Sequence, residues 1–385
     1  MSGFSGLLSS DLHSSDAFLM IKRLYVHNFR CLENFTLRLG DHRSALLIGK
    51  NGRGKSTVRH SLELFQRIAR GASQVQECIC ASDFAQHTTD RPMRFEVELS
   101  LSGRKYSYSI AFEWPIGFHQ ARILEESLTA DGNVVFARQH SQITLAGGIE
   151  FRLDWHVFAL PVINERPGER AIQDIKSYFA AMILIGPIPE NIKGFSEAPS
   201  MEIEGDAGNL AACLKALFQQ KPRAYSHFDS FLRNVIPDFS AIENVERGAS
   251  GTLLVVKFEQ KSPLKWISIE FEHLSGGEKC FFLAAYIVAL FEERGEVFVM
   301  WDEPDNHLAL SEVGHFIVAL RKATAQSGQF IATSHHPETI RKFSDETTFV
   351  LTRASHFDPT VARTLSEFGY NGDLVNALIR DEVIG

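Results

Sequence analysis

Cysteine is scarce in this chain, with five residues at positions 31, 78, 80, 213 and 280. Their number is odd, and Cys78 and Cys80 form a C-x-C with no second pair at zinc-ligand spacing. Neither a disulfide framework nor a structural zinc site is expected. They read as reduced thiols of a cytoplasmic protein. Long hydrophobic runs are also missing. The most apolar stretches, around 179–185 and 280–291, fall short of the ~20 residues that span a membrane, so no membrane partner is expected. Basic charge does not dominate. Lys and Arg number 39 against 47 Asp and Glu, which speaks against a general nucleic-acid coat and leaves a local basic patch as the route to DNA. Internal repeats and sustained heptads are absent, which removes solenoids and long coiled coils. Residues 1–18 are Ser-rich without a basic start. They read as a disordered tail rather than a signal peptide.

Phenylalanine, in contrast, is abundant at 30 residues, so an aromatic-rich core is expected. Segment 20–30 alternates as a strand and 35–39 as its hairpin partner. A short apolar strand, 44–48, feeds a glycine-rich turn. A helix over 55–70 follows, with Val58, Leu62, Leu64, Phe65 and Ile68 on its apolar face. Phe95, Val97 and Leu99 alternate with polar residues, as do Tyr106, Tyr108 and Ile110. Turns at Ser102-Gly103 and Asp131-Gly132-Asn133 complete the pattern of an antiparallel β lobe. The stretch 166–233 reads as mainly helical, and strands return at 251–258 and 265–271. The last third predicts a helix over 277–293, an apolar strand 297–301, a helix 311–325 and strands 329–333 and 347–351. Apolar strands alternating with helices imply an α/β fold with a mostly parallel sheet covered on both faces.

Three motifs carry chemistry. Gly49-Lys50-Asn51-Gly52-Arg53-Gly54-Lys55-Ser56 follows the first buried strand and opens a helix. This is a P-loop: glycines let the backbone curl so that N–H groups face phosphate oxygens, and the helix adds its positive end. Gly49, Asn51, Gly52, Gly54 and Thr57 join Lys55 in the ATP-binding set, with Lys55 on the β- and γ-phosphates and Ser56 on Mg²⁺. The strand 297–301 delivers Asp302 and Glu303 at its C-terminal edge, where ligands collect in α/β sheets. Asp302 suits Mg²⁺, and Glu303 suits the polarisation of an attacking water. Leu274-Ser275-Gly276-Gly277-Glu278-Lys279 opens the next helix. Ser275 and Glu278 have capping-box spacing, and a capped, glycine-flanked helix start is itself a phosphate receptor.

The last motif resembles the LSGGE signature of ATP-binding-cassette (ABC) ATPases. In that family the signature serine and glycines, here Ser275, Gly276 and Gly277, contact the γ-phosphate held by the opposite subunit. The resemblance therefore implies a homodimer with ATP between two copies. Pro304-Asp305-Asn306-His307-Leu308 resembles the family's D-loop, which puts Asp305 at the dimer interface. Thr333-Ser334-His335-His336-Pro337 resembles its H-loop, with His335 as the switch histidine and His336 as the alternative one register on. A Q-loop glutamine ligating Mg²⁺ is drawn from Gln74, Gln76 and Gln86, with Gln86 favoured. The opening IKRLYVHNFRCLENFTLRL resembles the starts of RecF, SMC and OLD proteins, and places Arg30 near the nucleotide. The implied head covers 19–385. It comprises a P-loop half with the N-terminal strands (19–75), the antiparallel lobe (76–165), a helical insertion (166–240) and a signature half (241–385).

The long interval between Lys55 and Ser275 holds no heptads, so no SMC-type arm is expected. No TOPRIM nuclease domain is expected after the last strand either. Relatives of this kind imply an ATP-dependent switch in bacterial anti-phage defence, acting on a separately encoded effector such as an HNH or TOPRIM nuclease or a retron component. The alternative is a RecF-like repair ATPase that clamps DNA.

Overall fold

The computed structural model describes residues 19–368 apart from 165–168, 249–250, 295–296, 326–327 and 345. The expected tail at 1–18 lies outside the described residues. In chain order the elements begin with β1 (Met20–His27), β2 (Phe35–Arg38), β3 (Ser44–Ile48) and α1 (Lys55–Ala69). Then come β4 (Met93–Leu101), β5 (Arg104–Glu113), β6 (Arg122–Ala130), β7 (Asn133–Gln139), β8 (Gln142–Leu145) and β9 (Glu150–Arg152). The middle holds α2 (Ala171–Ala181), β10 (Ile183–Ile185), β11 (Phe195–Ser196), α3 (Leu210–Gln220), α4 (Ala224–Val235), β12 (Phe239–Arg247), β13 (Gly251–Lys261) and β14 (Leu264–Glu270). The chain continues through α5 (Gly276–Arg294), β15 (Phe298–Asp302), α6 (Leu310–Thr324), β16 (Gln329–Thr333), α7 (Pro337–Ile340), β17 (Thr348–Thr352) and β18 (Val361–Thr364).

The central sheet runs β10-β15-β16-β3-β17-β18. Its first five strands are parallel, and β18 closes it antiparallel. Alternate residues of each strand serve opposite faces, as strand geometry requires. Phe298 and Met300 join the core shared with α1, α2 and the larger antiparallel sheet. Val299 and Trp301 join the core on the other side, under α3 to α6. The sheet is thus buried on both faces, which is why its strands are continuously apolar.

The larger of two antiparallel sheets is β2-β1-β4-β5-β6-β7-β8-β9, and the smaller joins β11, β13, β12 and β14. The N-terminal hairpin therefore belongs to the larger sheet rather than to the P-loop half. The charge pattern of β1 explains the placement: Arg23 pairs across the ladder with Glu96 and Glu98 of β4. The stretch 166–240 is not wholly helical. Its residues Ile183, Leu184 and Ile185 form β10, the edge of the central sheet against β15. Three residues carry no readable period, so only the available sheet edge reveals the strand. β12, which begins at Phe239, also escapes the sequence pattern, because beyond Ile242 its residues are exposed on both faces. Helices α2, α3 and α4 span 11, 11 and 12 residues, so no arm emerges among the described residues between Lys55 and Ser275.

Candidate functional site

Parallel register brings three strand ends to one edge. Asp302 of β15 stands beside Thr333 of β16, and Thr333 stands beside Leu47 of β3. The turn after β3 begins at Gly49, whose φ is 150° and where a Cβ would lie 2.4 Å from the Leu351 carbonyl oxygen. Only glycine fits there. Gly52 and Gly54 also have positive φ, at 76° and 92°, and the loop closes into α1. Lys55 is only 6% exposed. Its Nζ donates to the Gly49 carbonyl at 2.8 Å and to the Lys50 carbonyl at 3.4 Å. Burial pulls its pKa below the usual lysine value, while Glu303 and Asp302 pull it back up. Asn51 and Ser56 are exposed at the mouth of the loop, and Thr57 accepts a weak bond from the Cys31 thiol at 3.6 Å.

Thr333 ties the acidic pair together. Its hydroxyl donates to Asp302 Oδ1 and accepts the Glu303 N–H at 3.0 Å. Glu303 has φ 55°, a conformation that L side chains rarely adopt. The threonine bond holds it there and turns its carboxylate toward His335, whose Nε2 is 2.8 Å from Glu303 Oε1. His336 points elsewhere and caps α7, its Nδ1 accepting the Glu338 N–H at 3.2 Å. The geometry thus separates the two histidines, which one-residue register in the sequence leaves open. Asp302 Oδ2 faces Arg59 of α1 at 3.9 Å. The H-loop-like motif contains Thr333 without giving it a role, and no motif contains Arg59, because each meets its partner only through strand register and helix packing.

Other expected residues are placed differently. Asp305 is 5% exposed and accepts bonds from the Ser334 and Thr339 hydroxyls. Its carboxylate locks the turn after β15 to the segment bearing His335. Arg30 has φ 53°, and its Nε and Nη2 bind Asp83 Oδ1 at 3.1 and 3.0 Å. Its guanidinium is engaged by the Asp83 carboxylate, and its charge also reaches Glu63 of α1. The fully buried Asn28 anchors this corner, donating to the Arg91 carbonyl and accepting the Ala85 N–H. Gln86 donates through Nε2 to the Phe357 carbonyl at 2.9 Å, and no hydrogen bond joins it to Ser56 or Asp302.

Ser275 and Glu278 form the capping box: the Ser275 N–H donates to Glu278 Oε2 at 2.8 Å and the Glu278 N–H to Ser275 Oγ at 3.2 Å. Ser275 is exposed, and no bond ties it or Glu278 to Lys55, Ser56, Asp302 or Glu303 of the same chain. Gly277 allows the D-loop to pack against this helix start. A Cβ there would lie 2.8 Å from the His307 carbonyl oxygen. Hard oxygen donors at Ser56 and Asp302, beside a lysine and a curled backbone, fit a magnesium–triphosphate. Mg²⁺ held by these two residues would neutralise phosphate charge.

A family model described as the RecF/RecN/SMC N terminal domain matches residues 20–356. The chain belongs to this family. Among solved structures it is similar to an SMC head bound to the C-winged helix domain of ScpA. That likeness has 15% identity and a TM-score of 0.55, and covers 90% of this chain and 98% of that one. It is also similar to an SMC head with an extended coiled coil, bound to the C-terminal domain of ScpA, from Pyrococcus furiosus. There the identity is 13% and the TM-score 0.51, with 95% of this chain and 100% of that one covered. A search of curated proteins finds no match. The fold is that of an ABC-type ATPase head of the RecF/SMC branch, a family whose activity is ATP binding and hydrolysis, generally with Mg²⁺. No described helix is long and apolar enough to cross a membrane.

Proposed function

We propose that this chain is an ATP-driven switch that pairs with a second copy around ATP and controls a separately encoded effector. The observation that carries the pairing is the exposure of the Ser275 cap together with its lack of any bond to the chain's own P-loop. A phosphate-receptive helix start so presented suits a nucleotide held by another copy. Within each site Lys55 and the P-loop backbone bind the triphosphate. Glu303 takes the proton of the attacking water as its oxygen bonds the γ-phosphorus and the bond to the bridging oxygen breaks, releasing ADP. His335, already on Glu303, orients that carboxylate and reaches the γ-phosphate. ATP bridging two copies favours the closed pair, and hydrolysis removes the bridge.

The effector is a partner protein, as the ScpA domains on the similar SMC heads illustrate. We assign the switch to bacterial anti-phage defence with an HNH or TOPRIM nuclease or a retron component, on its resemblance to OLD-like ATPases. Glu303→Gln is expected to keep ATP and accumulate the pair. Light scattering checks this, and a variant that stays monomeric with ATP refutes the clamp. Phage plating with and without the neighbouring genes checks the defence role. Salt-dependent duplex binding without phage protection would instead favour the RecF-like repair reading.

A further inference from the structure

We propose that Arg59 is a positioning residue that competes with a divalent cation for Asp302 and thereby sets the metal affinity of the site. This rests on the reading of Asp302 as a metal ligand. Arg59 lies one helical turn beyond Lys55, so the two share a face of α1. Its Nε is 3.9 Å from Asp302 Oδ2, and both side chains are only 13% exposed. Its Nη1 donates to Glu63, one further turn along. Gly186, just after β10, and Gly205 flank the guanidinium, since a Cβ at either would lie 3.6 Å from one of its nitrogens. The two glycines are themselves joined, Gly186 N–H to Gly205 carbonyl at 2.7 Å. The slot is closed enough that Nε is buried with no hydrogen-bond partner.

Asp302 therefore has two differently served oxygens. Oδ1 takes the Thr333 hydroxyl, and Oδ2 faces a cation that is close but not hydrogen-bonded. A second cation approaching this carboxylate meets the fixed charge of Arg59 in a poorly solvated place, where repulsion is weakly screened. The metal alone is thus held weakly. The negative charge of a triphosphate offsets the guanidinium, so metal enters with the nucleotide rather than ahead of it.

Mn²⁺ binding to the full chain without added nucleotide, read from the electron paramagnetic resonance signal of free Mn²⁺, tests this. Arg59→Gln is expected to lower the half-saturating Mn²⁺ roughly tenfold by removing the repulsion. Arg59→Lys, which keeps the charge, should stay within about twofold of the parent. Asp302→Asn is expected to lose Mn²⁺ binding. If Asp302→Asn does so while Arg59→Gln binds like the parent, the competition is refuted and the ligand reading stands. If Asp302→Asn binds like the parent, both fall. An equal shift in Arg59→Lys and Arg59→Gln would also overturn the charge argument. Should Arg59→Gln not fold, Glu63→Gln frees the guanidinium toward Asp302 and is expected to weaken Mn²⁺ binding. Unchanged binding in that variant counts against the proposal.

Discussion

Replacing Thr333 by Val removes one hydroxyl and almost no volume, at a residue with no solvent exposure. That hydroxyl donates to the Asp302 carboxylate and accepts the Glu303 N–H. A hydrogen bond to a charged acceptor contributes about 1.5–3 kcal/mol, and a buried donor left without an acceptor costs about 1–3 kcal/mol. The Glu303 amide is only partly buried, so the lower end applies to it. The expected loss of stability is about 2–4 kcal/mol. Urea unfolding should show a lower midpoint with unchanged slope. Turnover should fall at least about tenfold, because both acidic side chains lose their shared anchor and one hydrogen bond is worth about that factor. Thr333→Ser retains the hydroxyl and should recover most of both quantities. A Thr333→Val protein within about 0.5 kcal/mol of the parent, an effect typical of substitutions that disturb nothing, would refute the argument. So would a Ser variant as damaged as the Val variant.

Lys55→Ala should lose nucleotide binding and turnover together, measured by fluorescent-nucleotide titration and phosphate release; unchanged turnover would remove the P-loop assignment. Burial pushes the Cys78 thiol up to about 11 and those of Cys213 and Cys280 up to about 12. Their thiolates are negligible at pH 8, so alkylation followed by mass spectrometry should label the exposed Cys80 first. Comparable labelling of Cys213 would contradict the burial. The same shifts fix a sign. Folded thiols hold protons more tightly than unfolded ones, so stability declines as pH rises above the unfolded value of 9.0 toward those raised values. Titration of the unfolding midpoint between neutral and alkaline pH checks it.

Elements that depend on local chemistry are legible in the order of residues alone. The expected helix 55–70 is observed as Lys55–Ala69, and the apolar strand 329–333 as Gln329–Thr333. Glycine spacing in the P-loop, the Ser275–Glu278 cap and the apolar run before Asp302 all act within a few residues, so they are written in adjacent letters. Tertiary structure decided everything that depends on which strands become neighbours. It placed the β1–β2 hairpin in the larger antiparallel sheet and made Ile183–Ile185 the edge of the central one. It turned Asp305 inward onto Ser334 and Thr339, gave Arg30 to Asp83, and set His335 rather than His336 against Glu303. The physical reason is range. Arg59 meets Asp302, and Gln86 meets Phe357, across hundreds of residues. Periodicity records which face a residue occupies, and only the packing of separate elements supplies its partner.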